Sequence, residues 1–243
     1  MAKASFANGP AVAAEAEPVA VVVARQGTGA VAFASSYDSG VSGEVDRRDL
    51  NMPRMALVQG VGPMSELFKP GQLVLNKETV LTDGEVPVIL SVLSIRKSFV
   101  ENLKYEEDGP LPRRADTLAE VKSLGGTIEY AGDEPPSWIP TADALMLLES
   151  DKDDPAFPFE HNGKYYAAAM YSMRKTAYTH AAKAIFTATQ YGLKNQQLAI
   201  AKWSMSSKRI KIGSNFVYAP VLRQIGKFDA PFIAWVNEMG LGK

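Results

Sequence analysis

The chain has 243 residues, of which 46% are hydrophobic and 22% charged, and its formal net charge is -1. That composition excludes global disorder, and the length suits one large domain or two small ones. Cysteine is absent and the two histidines, His161 and His180, have no helical pair spacing, so disulfides, zinc-thiolate sites and cysteine nucleophiles are excluded.

No run approaches the roughly 20 apolar residues that span a bilayer. The longest candidate is Val19 to Ala24. The start, Met1-Ala2-Lys3-Ala4-Ser5-Phe6, lacks the regions of a secretory signal. The expectation is therefore no membrane and a cytoplasmic location, the host cytoplasm for a viral protein.

Residues 1–50 are rich in Ala, Val, Gly and Ser and poor in large core residues. Val19 to Val23 and Ala30 to Phe33 have strand character, split by Gln26-Gly27-Thr28-Gly29. The segment reads as an N-terminal arm. It is either flexible or ordered on a neighbouring subunit, as in a homo-oligomer. Met55 to Gln59 is a short apolar run, and Gln72 to Asn76 alternates after the turn Pro70-Gly71. Val86 to Phe99 is a long strand, with Val86, Val88, Leu90 and Val92 on one face and Ile89, Leu93 and Ile95 towards the other. A polar stretch follows over 100–140. Within it Thr117 N-caps a short helix to Leu124, with Glu120 in the capping-box position and Gly125-Gly126 as the stop.

Ala142 to Leu148 is an apolar segment, and Tyr165 to Met173 reads as a strand. Lys175 to Tyr191 reads as a helix, because Tyr178, Ala181, Ala182, Ile185, Phe186 and Thr189 fall at spacings of three and four. Leu198 to Met205 and Asn215 to Leu222 read as strands, joined by a loop over 206–214. Phe232, Ile233, Val236 and Met239 mark a short C-terminal helix. From residue 86 the order is strand, long loop, strand, strand, helix, strand, strand. The predicted fold is mainly β with a few helices: a five-stranded OB-like barrel over 51–243, with an elaborated loop between strands 1 and 2.

Charge is uneven. The 64 residues from Lys164 to Lys227 hold eleven Lys and Arg and no Asp or Glu. Ordinary surfaces mix both signs, because one sign alone repels itself. Such a stretch implies a counter-charge, either the acidic remainder of this molecule or a neighbour, or a phosphate backbone. The window also holds nine Phe, Trp and Tyr residues. Bases stack on such rings while cations track the backbone, and only single strands offer unstacked bases.

The candidate binding residues follow. Arg96, Lys97 and Phe99 end the first long strand, and Arg174 and Lys175 open the helix. Lys202 and Trp203 lie in the next strand, Lys208, Arg209 and Lys211 in the loop. Tyr166 and Tyr218 are further stacking candidates, whereas Phe186 and Phe216 are expected in the core.

Catalytic motifs are missing. Gly60-Val61-Gly62-Pro63 is not followed by the Lys-Ser/Thr of a phosphate loop, and Gly40-Val41-Ser42-Gly43 has the wrong spacing for a nucleophile elbow. Asp151, Asp153 and Asp154 suit capping and solubility better than a cation site. The expectation is a binding protein, not an enzyme, with no cofactor and no metal.

These segments together resemble phage-encoded OB-fold single-stranded-DNA-binding proteins. The resemblance runs over roughly residues 50–227. It lies in the first strand ending in basic residues, the long polar loop, Tyr165-Tyr166-Ala167-Ala168-Ala169-Met170, Lys175-Thr176-Ala177, Ser206-Ser207-Lys208-Arg209 and Phe216-Val217-Tyr218. It implies binding of single-stranded DNA without sequence specificity, in replication or recombination. Two alternatives stay open: an RNA-binding module, and a virion or other assembly protein whose basic third contacts an acidic neighbour.

Overall fold

The computed structural model describes residues 52–103, 110–194 and 196–241. The expected arm over 1–50 and the Glu106 to Gly109 part of the polar loop lie outside them.

The fold is mainly β, and all strand pairs are antiparallel. A small sheet holds β1 (Met55–Leu57), β2 (Leu73–Leu75) and β3 (Thr79–Thr82) in that order. The large sheet holds β4 (Val88–Glu101), β5 (Arg114–Ala115), β6 (Trp138–Ser150), β7 (Phe159–His161), β8 (Lys164–Arg174), β9 (Ala201–Ile212) and β10 (Asn215–Lys227). Its order is β10-β9-β4-β6-β8-β7, with β5 also paired to β4. A helical run over 175–192 links β8 to β9, and a C-terminal helix spans Ala230–Glu238.

The long strands form where apolar residues alternate. Val88, Leu90 and Val92 face the main core with Ala142, Ala144, Met146 and Leu148 of β6. A bulge between Val92 and Ser94 inserts one residue into β4. Because side-chain direction alternates with period two, the insertion reverses parity. Ile95 therefore packs with the Val88 face, not with Leu93 as the plain alternation predicts. Leu93 packs on the opposite face with Leu145 and Leu147, under Phe232 and Val236 of the C-terminal helix. Asp229 caps that helix, its carboxylate accepting from the Phe232 N–H at 3.0 Å. The Thr117 cap forms as predicted, its hydroxyl accepting from the Glu120 N–H at 3.1 Å.

The helical run over 175–192 presents Tyr178, Ala181, Ala182 and Ile185 to the main core. Two of its turns are wound as π-helix, Tyr178–Ala182 and Ala188–Gly192.

The expected barrel is not closed. The sequence supplies five long strands with a helix before the fourth, but among the described residues no ladder joins β8 to β10. Residues 53–59 lie in that gap. The Met170 N–H donates to the Pro53 carbonyl at 2.7 Å, and Arg54 and Met170 form a parallel bridge. At the other side Gln59 bonds to the backbone of Tyr218. Chain preceding the first long strand thus takes the place that strand-to-strand pairing would occupy.

Candidate nucleic-acid interface

β4 sends Ser94, Arg96 and Ser98 to one face beyond the bulge, one every second residue. The ladder sets Arg96 opposite Asp143 of β6, and Asp143 opposite Ser172 of β8. With Arg54 and Arg114 these residues line an open cleft of about 540 Å³. Arg96 pairs with Asp116 at 2.6 Å, and Arg114 pairs with Asp143 at 2.9 Å. The Ser172 hydroxyl also donates to Asp143. Burial pushes the Asp143 carboxyl up, but Ser172, Arg114 and Arg174 outweigh it and hold it below the ordinary carboxylate value.

A second cleft of about 500 Å³ adjoins the first and shares Arg54, Met170 and Ser172 with it. It runs from the start of the helical run across β1 to β10. Its lining carries four cations, Arg54, Lys77, Arg174 and Lys175, and no carboxylate, together with Tyr171 and Tyr218. Lys77 (φ 61°) and Lys175 (φ 48°) both hold a left-handed backbone. A non-glycine residue there costs of order 1–2 kcal/mol, and such strain gathers at functional sites. Asn76 fixes Arg54, its side-chain oxygen accepting from the Arg54 N–H at 2.9 Å.

The predicted loop over 206–214 is not a loop. β9 continues to Ile212 and β10 starts at Asn215, so only Gly213 and Ser214 turn. Gly213 has φ 59°, the left-handed first position that a type II′ hairpin assigns to glycine. The β4 ladder with β9 ends at Met205, so 206–220 extends past it as a two-stranded ribbon. Strand geometry separates the expected cluster. Arg209 opposes Tyr218 and Lys211 opposes Phe216 on one face, while Lys208 lies on the other. The Arg209 guanidinium sits over the Phe216 ring at 4.0 Å.

The candidate residues divide sharply. Arg96 and Arg174 reach the connected clefts, and Lys175 and Tyr218 line the second. Lys208, Arg209 and Lys211 are exposed on the ribbon. Three expected stacking rings are corrected, because they are core. Trp203 is 2% exposed among Ala201, Met205 and Leu90, Tyr166 is 4% exposed beneath the C-terminal helix, and Phe99 is 5% exposed against Trp138 and Val121. A ring enclosed by side chains has no face left for a base. Burial also pushes the Tyr166 phenol far above its ordinary value, with Glu149 adding to the effect. Lys202 is corrected as well: it pairs with Glu149 at 3.2 Å and lies over the Phe228 ring at 4.9 Å. Lys97 projects from the opposite face of β4, above Phe99.

Phe216, expected in the core, is 53% exposed. The sequence reading missed Arg54, Lys77, Arg114 and Asp143. The only available signal was the alternation of Ser94, Arg96 and Ser98, which marks a polar face that something must line. Of the eleven cations of the basic window, Lys164 and Lys202 form ion pairs with Asp151 and Glu149. The other nine form none among the described residues.

No protein-family model matches the chain, and neither a curated protein nor a solved structure matches it significantly. Among the described residues no group of three or more metal-ligating side chains gathers, and no helix is long and apolar enough to cross a membrane.

Proposed function

We propose that the protein binds single-stranded nucleic acid, DNA in the first instance, through the two connected clefts and the β9–β10 ribbon. One observation carries the reading: four cations and no carboxylate line a cleft whose wall includes Tyr218 and whose two lysines are held in a costly backbone conformation. Cations that a protein needs only for solubility sit among acids. Cations gathered without them wait for an external anion, and a phosphodiester backbone is the repeating anion that fits an extended furrow.

The strand's phosphates lie along Arg174, Lys175, Arg54 and Lys77 and continue to Arg209 and Lys211. Its bases stack on Phe216, exposed on the ribbon, and on Tyr218, which lines the second cleft. Most contacts are to phosphate and ring faces, so they are largely indifferent to sequence. The strand order 3-2-1-4-5, with a helix between the third and fourth long strands, supports an OB-like ancestry in which residues 53–59 substitute for barrel closure. A binding role in replication or recombination, in the cytoplasm, belongs to the same proposal.

The test is fluorescence anisotropy with a labelled 30-nucleotide oligo-dT at low and moderate salt, beside a matched duplex. Tight, salt-sensitive binding that favours the single strand is expected. No binding at low salt would overturn the reading. A discrete oligomer that ignores nucleic acid would put the assembly alternative in its place, with the pairs Lys164–Asp151 and Lys202–Glu149 as the pattern of its contacts.

A further inference from the structure

The first cleft, lined by Arg96 and Asp143, has a different chemistry from its neighbour. It mixes three guanidiniums, Arg54, Arg96 and Arg114, with two carboxylates, Asp116 and Asp143, and three serines, Ser94, Ser98 and Ser172. Two of the arginines are matched inside the cleft, Arg96 by Asp116 and Arg114 by Asp143. Arg54 forms no ion pair among the described residues and keeps its planar fork of donors. Ser94 and Ser98 make no side-chain hydrogen bond among the described residues, whereas Ser172 already serves Asp143.

Asp143 is the second half of the arrangement. Each of its oxygens accepts one hydrogen bond, Oδ1 from Ser172 and Oδ2 from Arg114. An ionised carboxylate has about four lone-pair positions, so both oxygens keep capacity for a further donor. Its side chain is 19% exposed, sunk into the sheet face but open to the cleft. The site thus offers an acceptor-only group at its floor and an uncommitted guanidinium at its rim.

We propose that this cleft holds one guanine base of the bound strand, Asp143 accepting from its N1–H and N2 amino group and Arg54 donating to O6 and N7. The inference rests on the single-strand reading above and adds a base-selective position to it. The complementarity is specific. Guanine alone among the bases carries two adjacent donors on one edge and two adjacent acceptors on another. Arginine to O6 and N7 is the commonest specific contact that proteins make to a base. Adenine and cytosine offer the carboxylate a single amino group, and thymine a single N3–H. The adjoining acid-free cleft then takes the flanking phosphates, and Arg54, common to both walls, joins base to backbone.

The experiment uses the wild-type chain and changes only the base, so folding is not at issue. Affinities are compared for an oligo-dT 30-mer and for the same 30-mer with one central dG, deoxyinosine, 7-deaza-dG or dA. The dG strand is expected to bind about tenfold tighter than oligo-dT, the scale of one good bidentate base contact. Deoxyinosine, which lacks the amino group, and 7-deaza-dG, which lacks N7, each lose most of that gain, and dA shows none. Equal affinity of all five strands, with oligo-dT bound tightly, would overturn the guanine site and leave the single-strand reading standing. No binding of any strand would overturn both. Asp143→Asn is expected to collapse the dG-to-dT ratio. A ratio that survives in a folded Asp143→Asn protein would place guanine recognition elsewhere and overturn the assignment.

Discussion

Gln59 grips the backbone of Tyr218 from both sides: its Oε1 accepts from the Tyr218 N–H and its Nε2 donates to the Tyr218 carbonyl, each at 3.0 Å. One side-chain amide reproduces the paired hydrogen bonds that a neighbouring strand would make. β10 is an edge strand, and an unpaired edge is a template for aggregation. The grip, with Pro220 nearby, blunts that edge and fastens the segment over 53–59 to the second cleft. Gln59→Ala removes two half-buried hydrogen bonds and is expected to cost about 1–2 kcal/mol. For a domain of this size that lowers the melting temperature by roughly 2–8 °C. Thermal denaturation followed by circular dichroism checks it, and an unchanged melting temperature would mean that water replaces the amide without loss.

Phe216 and Trp203 separate stacking from packing. Phe216→Ala changes an exposed ring, so stability is expected to shift by no more than about 0.5 kcal/mol. Its affinity for oligo-dT falls about tenfold, one stacked base being worth roughly 1–3 kcal/mol. The salt slope stays the same, because no phosphate contact is lost. Trp203→Ala empties the core beside Leu90 and Met205 and costs about 3–5 kcal/mol. Parallel melts and salt titrations of the two variants decide. A Trp203→Ala protein that keeps its stability would overturn its core assignment.

The legible part of the fold was the part whose burial is periodic or continuous. β4 alternates apolar residues over its first half, β6 and β8 carry continuous apolar runs buried on both faces, and the helix over 175–192 keeps spacings of three and four. The ribbon was hidden because its outer half buries little. Ser206-Ser207-Lys208-Arg209 carries no apolar alternation and reads as loop, yet the β10 ladder and a two-residue turn make it strand. Two strands of the small sheet fall within the short runs Met55 to Gln59 and Gln72 to Asn76, but the sheet's placement is tertiary. Gly71 and Gly84 let it approach the ribbon so closely that a Cβ at Gly71 would lie 2.6 Å from the Tyr218 ring. The second cleft was invisible for the same reason. Arg54, Lys77 and Lys175 are distant in sequence, and nothing in a lysine signals a left-handed backbone.

Charge reversal of Lys208, Arg209 and Lys211 tests the ribbon. Each phosphate contact on a single strand contributes about 0.7 to the slope of log affinity against log salt. Replacing all three with Glu is expected to weaken binding to every sequence equally and to flatten the slope by about 1.4, for the two contacts of Arg209 and Lys211. The strand register puts Lys208 on the face away from Tyr218, so Lys208→Glu alone should matter less than Arg209→Glu. Equal effects from the two single variants would show that the strand wraps both faces of the ribbon.

Asp143 gives the fold an acid-side dependence. Its pKa is lowered in the folded chain from 3.8, so the unfolded chain binds its proton more readily. The resulting stabilisation is fully present above the unfolded value and is lost as pH falls through the folded one. Between pH 5 and pH 3 the wild-type melting temperature should therefore fall more steeply than that of Asp143→Asn, which has no proton to take up. Parallel pH profiles would refute this linkage.

Lys175→Gly separates what the second cleft needs from what the fold needs. Lys175 follows β8 directly, and its φ of 48° lies where a side chain crowds the backbone. Glycine removes that penalty of roughly 1–2 kcal/mol and restores about 0.5–1 kcal/mol of unfolded-chain entropy, leaving a net change near zero or stabilising. The same substitution deletes a cation from a cleft that has no carboxylate to balance. The variant is expected to melt at the wild-type temperature or above it while its oligo-dT affinity and salt slope both fall. Lys175→Ala keeps the strained backbone and loses the charge, so it should match the glycine variant in binding and melt below it. If the glycine variant instead bound as the wild type does, the strain at Lys175 would belong to the turn into the helix and not to the nucleic-acid site.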